Sequence, residues 1–354
     1  MKKYNIAVVN GDGIGHEIVP ASLQVLEAVA EAYQFELTST AFPWGAGYYK
    51  EHGEFMPTDG LETLGKFDAI LFGAVGLPEV DDTLPFKLYT ARVRTHFQQY
   101  VNYRPVRLLP GVEGPLRNKT GKDIDFVVLR ENTEGEFVQN GKIFYPDEPH
   151  GLATETNVFT RAGIEQVAHY AFQLARKRRN HVTNVTKSNT MIYTLAYWDY
   201  VMGQVAAEYP DVTYRQMYVD AASANFVLRP ELFDVVVTTN MIGDILSDLG
   251  GAIMGSLGLG PSGNLRPEKD QPSMFEPIHG SAPDIAGQGI ANPVGQIWSG
   301  ALLLEHLGEQ AAADAIVSAI EKTLEAGVKT RDLGGTASTQ AVADAVISHL
   351  TGPA

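Results

Sequence analysis

Two aspartates four residues apart, Asp244 and Asp248, stand in the stretch MIGDILSDLGGAIM. On a helix that spacing makes them neighbours on one face, opposite an apolar stripe of Ile242, Ile245, Leu246, Leu249 and Ile253. Like charges so placed repel by a few tenths of a kcal/mol. A divalent cation reverses the sign; the other reading is two solvated acids favoured by the dipole of a helix start. Asp220, near the end of the strand-like run TYRQMYVDAA, offers a third carboxylate, and three such oxygen donors suit Mg2+ or Mn2+. The complement is basic: Arg92, Arg94, Arg104 and Arg107 crowd RVRTHFQQYVNYRPVR, and Arg130 closes the apolar run DFVVLREN. Arginine grips carboxylates with two parallel hydrogen bonds. Arg94, Arg104 and Arg130 together suit a dicarboxylate, with surface ion pairing in an acidic protein as the alternative for any one of them.

Positioning these groups requires a scaffold of strands. YNIAVVN, DAILFGAV, DFVVLREN, HVTNVTKSN, TYRQMYVDAA and FDVVVTTN are near-continuous apolar runs, the pattern of strands covered on both faces. In open α/β sheets ligands bind beyond the carboxyl ends of the strands. Four runs end in polar groups: Arg130-Glu131-Asn132, Lys187-Ser188-Asn189, Asp220 and Asn240. Helices are expected over RAGIEQVAHYAFQLARKR and, as two or three units, over the alanine-rich last fifty residues. ARKRRN at 175–180 reads as a solvated helix end. VNYRPVRLLPGVEGPLRNKTGKD and GLGPSGNLRPEKDQPS read as irregular crossings between domains. The glycines of IAVVNGDGIGHEIV invite a dinucleotide fingerprint, but His16 stands where its third glycine belongs and no acid closes the next strand. The plainer reading is a tight strand-to-helix turn with Asp12 near the helix start.

A chain of 354 residues allows roughly two domains of ~150 residues. No run reaches the ~20 apolar residues of a membrane span, and the first residues lead directly into a strand. The absence of cysteine excludes disulfides and thiolate metal sites, and 42 acidic against 27 basic residues, a net charge of −15, argues against nucleic acid as a partner. A cytoplasmic protein acting on a small molecule is expected.

The motifs NGDGIGHE, RTHFQQYVNYRPV, VLRENTEGEF, VTKSNTM, YVDAAS, TTNMIGDILSDLGG and EPIHGSAPDIAGQGIANP run along nearly the whole chain. Together they resemble the β-decarboxylating dehydrogenases of (2R)-hydroxy acids, a family that includes isopropylmalate, isocitrate, homoisocitrate and tartrate/D-malate dehydrogenases. The resemblance implies a two-domain α/β fold of the isopropylmalate-dehydrogenase type, with mixed sheets flanked by helices and not a Rossmann fold. It implies one domain from 1–99 plus 256–354 carrying most of the cofactor site, and a smaller one from 100–255 carrying metal and substrate groups. Arg94, Arg104 and Arg130 would hold substrate carboxylates, Asp220, Asp244 and Asp248 would hold Mg2+ or Mn2+, and Lys187 would take the hydroxyl proton. Lys187 and Asp220 would reach into a partner's site, implying a homodimer. Ile14, Gly73, Glu276, His279, Gly280, Ala282, Asp284, Ile285 and Asn292 would contact the cofactor. Asp284 followed by Ile285, where users of NADP carry lysine and tyrosine, implies NAD; a monovalent cation such as K+ is compatible with the family.

Two departures bear on chemistry. The family places a proton-donating tyrosine seven residues after the arginine of REN, and here that position is Phe137. The donor must then be water or Tyr145, or decarboxylation is slowed relative to oxidation. Lys87, Thr90 and Ala91 stand where an isopropyl pocket would be lined by leucines. A buried lysine or hydroxyl beside isopropyl is costly, which favours tartrate or D-malate over isopropylmalate, homoisocitrate or isocitrate, although that branch usually carries tryptophan at the position of Lys87. A non-catalytic ligand-binding or regulatory subunit is the reading from a different class.

Overall fold

The apolar runs become strands of one sheet. The computed structural model describes residues 1–350 and 352. It contains β1 (Lys3–Gly11), β2 (Glu36–Phe42), β3 (Ala69–Ala74), β4 (Val101–Arg107), β5 (Asp125–Glu131), β6 (Gly141–Phe144), β7 (Leu152–Glu155), β8 (His181–Thr186), β9 (Thr213–Tyr218), β10 (Val235–Thr238), β11 (Pro261–Leu265) and β12 (Ser273–Pro277). Ten of them form a single mixed sheet in the order β2-β1-β3-β12-β11-β4-β5-β10-β8-β9, while β6 and β7 pair separately as an antiparallel hairpin. Both wings are parallel, and the centre, β12-β11-β4-β5, is antiparallel. The half from β2 to β11 comes from both ends of the chain, and the half from β4 to β9 from its middle.

The helices are α1 (Gly15–Tyr33), α2 (Ala46–His52), α3 (Gly60–Leu64), the single turn α4 (Thr83–Pro85), α5 (Ala91–His96), α6 (Arg161–Arg176), α7 (Thr194–Ala206), α8 (Val219–Leu228), α9 (Asn240–Ile253), α10 (Val294–Leu307), α11 (Gln310–Glu325) and α12 (Thr339–His349). A π-helical turn, Phe86–Thr90, joins α4 to α5. One large apolar core runs along the sheet beneath α1, α6 and α10, and a smaller one fills the opposite face under α2 and α5. Among the described residues no helix is long and apolar enough to cross a membrane.

Several local expectations are corrected. The two stretches read as irregular crossings each hold a central strand, β4 and β11. Pro105, Pro261 and Gly263 hide them: proline and glycine weaken strand propensity, yet Pro261 sits at the first strand position, where it is tolerated. Ile245 is 63% exposed, so the buried stripe of α9 is Ile242, Leu246 and Ile253. ARKRRN is a clamp and not a solvated end. Arg178 donates to Asp234 at 2.8 Å and Asp125 at 2.9 Å, tying together the entries of β10 and β5. Asp220 lies in the first turn of α8 and not on a strand, since β9 ends two residues before it at Tyr218.

The opening turn has a structural explanation. Gly11 and Gly13 hold φ of +68° and +57°, and a Cβ on them would lie 1.8 Å from the Ala74 carbonyl oxygen and 2.0 Å from that of Ser281. Only glycine allows both contacts. Asp12 does not cap α1; its carboxylate accepts from the backbone N–H groups of Ala46, Gly47 and Gly76 at 2.7, 2.8 and 3.0 Å. The turn therefore anchors α2 and the loop after β3.

Candidate active site

Three arginines from three elements meet in one cavity of about 360 Å³. Arg94 comes from α5, Arg104 from the middle of β4 and Arg130 from the end of β5. All three are buried. Each is held by a partner on a distant segment. Arg94 pairs with Glu276 of β12 at 2.8 Å, Arg104 donates to Ser247 of α9 at 2.6 Å, and Arg130 donates to Asn240 at 2.8 Å and to Asp244. Burial, with the neighbouring Arg104 guanidinium second, pulls Arg130 down to about 9, and burial lowers Arg104 as well. At about 9, Arg130 stays charged at neutral pH. The shifts express the cost of crowding buried cations, a cost that a bound dianion offsets. Nε of Arg94 and of Arg104 are buried without a protein partner.

Beneath Arg94 runs a chain of buried amides. Glu276 also accepts from Asn264 at 2.7 Å, and the Asn264 carbonyl accepts from Asn102 at 2.8 Å and from Asn132 at 2.9 Å. This network joins three neighbouring central strands, β12, β11 and β4, and the residue that follows β5. Its members lie up to 182 residues apart, and no local sequence pattern announces them. Glu136, buried next to Phe137, accepts from Thr239 and from the Met241 N–H. It thereby fixes the start of the helix that carries both aspartates.

Asp244 and Asp248 do share a face, 3.6 and 3.7 Å from Arg104. Burial raises the Asp248 carboxyl above the usual carboxylate range, against the opposing pull of Arg104. Two oxygen donors on one helix fit a hard divalent cation. Among the described residues, however, no group of three His, Cys, Asp or Glu side chains comes together. Asp220 is instead bonded to Lys187 on an exposed surface, and neither lines the cavity. Within one chain the expected third metal carboxylate and the base are thus elsewhere.

Next to the cavity lies an apolar cleft of about 430 Å³, lined by Ile14, Ala282, Ile285, Asn292 and His279. His279 lines both spaces, and Glu276 and Gly280 line the first. Nδ1 of His279 lies 3.0 Å from the Gly280 carbonyl, and burial lowers its pKa, so the ring is neutral with Nδ1 as donor. That leaves Nε2 as a buried acceptor without a partner. An apolar slot with one such acceptor fits a purine carrying an exocyclic amine. Asp332 was not anticipated: it accepts from Asn292 at 2.9 Å and from Ser256 at 2.5 Å, and holds one wall of the cleft.

Other expected residues lie elsewhere. Lys87 is exposed and borders a separate groove on the far side of Phe137, while Phe86 and Thr90 face the cavity. The π-helical turn sets this register, bringing Phe86 inward. Gly73 is buried in β3, where a Cβ would lie 2.3 Å from the Asn10 carbonyl oxygen, so it serves strand packing and lines neither space. Asp284 is exposed and does not line the cleft. Arg92 is exposed, and Arg107 pairs with Glu321 away from the cavity. Phe137 packs edge to face on Phe86 at 5.6 Å, beneath the Arg130 guanidinium. Tyr145 is 60% exposed and packs on His150, and no tyrosine lines the cavity.

Known proteins share this arrangement. The family model described as isocitrate/isopropylmalate dehydrogenase matches residues 5–346. A probable tartrate dehydrogenase/decarboxylase of Agrobacterium vitis is 48% identical over 354 residues, covering 99% of this chain and 97% of that one. The D-malate dehydrogenase [decarboxylating] of Escherichia coli is 46% identical over 354 residues, covering 98% of each. Among solved structures, isocitrate dehydrogenase from Methylococcus capsulatus superposes with a TM-score of 0.88 at 34% identity over 99% of each chain. The chain belongs to the isocitrate/isopropylmalate dehydrogenase family and is a dehydrogenase acting on a CH–OH group.

Proposed function

We propose that the protein oxidises a small (2R)-hydroxy dicarboxylic acid of the tartrate or D-malate type, using NAD and Mg2+ or Mn2+. The observation that carries this reading is the convergence of buried Arg94, Arg104 and Arg130 on one small cavity beside Asp244. Two carboxylates satisfy three guanidiniums, and the curated relatives at 45–48% identity bear the names of tartrate and D-malate enzymes. Asp244 and Asp248 would hold the cation, completed by Asp220 of a second copy of the chain. When bound, the cation would lower the pKa of the substrate hydroxyl, and NAD, in the cleft beside Ile14, His279 and Asn292, would serve as acceptor for the hydride leaving the hydroxyl-bearing carbon. Lys187 of the second copy takes the hydroxyl proton. The arginines hold the carboxylates in place, and the apolar Phe86–Phe137 pair keeps water from one side of the cavity. Phe137 has no proton to give, so protonation of the product enol falls to water and decarboxylation is slow relative to oxidation. The residue sets 1–99 with 256–354 and 100–255 form two lobes joined at the β11–β4 pair.

Protein incubated with NAD+, Mn2+ and a panel of (2R)-hydroxy diacids, followed by NADH absorbance, tests the reading. Tartrate or D-malate is expected to give the highest kcat/KM. Preference for isopropylmalate, homoisocitrate or isocitrate would overturn the substrate, and preference for NADP would overturn the cofactor.

A further inference from the structure

Behind the strands that carry the active site lies a second cavity. Side chains alternate across a strand. β4 turns Arg104 toward the active-site cavity and Tyr103 to the opposite face, and β12 does the same with Glu276 and Phe275. On that opposite face a space of about 220 Å³ lies between α6, packed on β5, β8 and β10, and α10, packed on β11 and β12. Gly263 of β11 keeps its floor open, since a Cβ there would come within 3.0 Å of Leu265 and 3.1 Å of Phe275.

The walls have a definite chemistry. Leu174, Leu265, Leu302 and Phe275 give an apolar body. Around it stand four donor side chains, Tyr103, Tyr170, Lys177 and Lys269, against one carboxylate, Glu305. Among the described residues no hydrogen bond or ion pair engages any of those four donors. His306 adds no charge: burial lowers its pKa to about 4, and its Nε2 lies 3.1 Å from the Ser273 hydroxyl. An excess of donors over an apolar pocket calls for an anionic ligand with an apolar body. Size narrows the class. An apolar cavity of roughly 150 Å³ accommodates benzene, so this one takes a single ring with a short acid and excludes a dinucleotide.

We propose that this cavity is a second small-molecule site, taking a monocarboxylic acid with one aromatic ring or a branched aliphatic body. The body packs between Leu174, Leu302 and Phe275, and the carboxylate faces Lys177, Lys269 and the two tyrosine hydroxyls. Because it lies on the opposite face of the strands from Arg94, Arg104 and Arg130, it fills independently of the hydroxy-diacid site and does not rest on the proposed substrate.

Calorimetric titration with phenylacetate tests the site. Saturable binding at one equivalent per chain is expected. It should weaken at least tenfold in Lys177→Glu/Lys269→Glu and in Leu302→Trp, and persist within twofold in Arg94→Met. The lysine variants alter exposed side chains, so their result stands if Leu302→Trp fails to fold. Phenethylamine, with the charge reversed, should bind at least tenfold more weakly. Absence of saturable heat, equal affinity in the lysine variants, or loss of binding in Arg94→Met would overturn the proposal.

Discussion

Arg104 is the residue on which the site turns, because it reaches both aspartates and Ser247 from the middle of a strand. Arg104→Met removes a buried charged hydrogen-bond donor, worth about 3 kcal/mol. The expected outcome is a drop in kcat/KM for the hydroxy diacid of about a hundredfold, with the KM for NAD unchanged, read by steady-state kinetics. Phe137→Tyr should raise the ratio of CO2 released to NADH formed; an unchanged ratio would show that Phe137 does not limit decarboxylation. At this scale much of the site was legible in residue type and spacing. Arg94, Arg104 and Arg130 were singled out as carboxylate ligands because arginine clusters are conspicuous in an acidic chain, and the structure brings all three together. Glu276, by contrast, was expected beside the cofactor, and its grip on Arg94 through a buried amide chain was not foreseen. Amides carry no charge pattern, and theirs is assembled from strands far apart in sequence.

Elements that hold the site were legible where their side chains follow a period. β5, β8 and β10 read as buried strands, and α6, α10, α11 and α12 as helices. β4 and β11 were missed because proline and glycine break the pattern, and tertiary pairing on both sides overrides weak local propensity. The turn carrying Asp12 shows the same limit. Its glycines suggested a phosphate cradle or a helix start, whereas their work is close backbone contact and the anchoring of α2. Asp12→Ala strips the partner from three N–H groups, two of them in the first turn of α2. At roughly 1–3 kcal/mol for a buried donor left unsatisfied, a destabilisation of about 3 kcal/mol is expected, measured by urea unfolding. Asp12→Asn, which keeps an acceptor oxygen, should recover part of it.

For the whole molecule, pH and assembly are the informative variables. Burial, with the nearby Lys269 ammonium second, lowers His306 to about 4 from 6.5. The folded ring is therefore neutral where the unfolded one takes a proton. Stability is full above pH 6.5 and is lost as pH falls toward 4, by about 3 kcal/mol from this group. His306→Asn should flatten the fall in Tm over that window relative to the parent. Tyr193, Leu228, Ile245 and Ile192 are each at least 60% exposed, an apolar set consistent with burial against a second copy. If Lys187 and Asp220 serve a partner's site, inactive Arg94→Met and inactive Lys187→Met chains should complement when coexpressed. Each mixed dimer then holds one intact site, giving on the order of a quarter of parent activity for random pairing. No recovery would place both groups in one chain's own site.

The strand order also has a consequence for biosynthesis. β3 and β4 are made early and in succession, yet in the finished sheet β12 and β11 separate them, and those two strands are among the last third of the chain to leave the ribosome. Until then both early strands present open edges, which invite pairing with other chains. The sheet is thus completed from its middle, by insertion, and such non-local closure is slow. Nascent chains halted at residue 255 should depend on holding chaperones and aggregate without them. Full-length chains that have gained β11 and β12 should not.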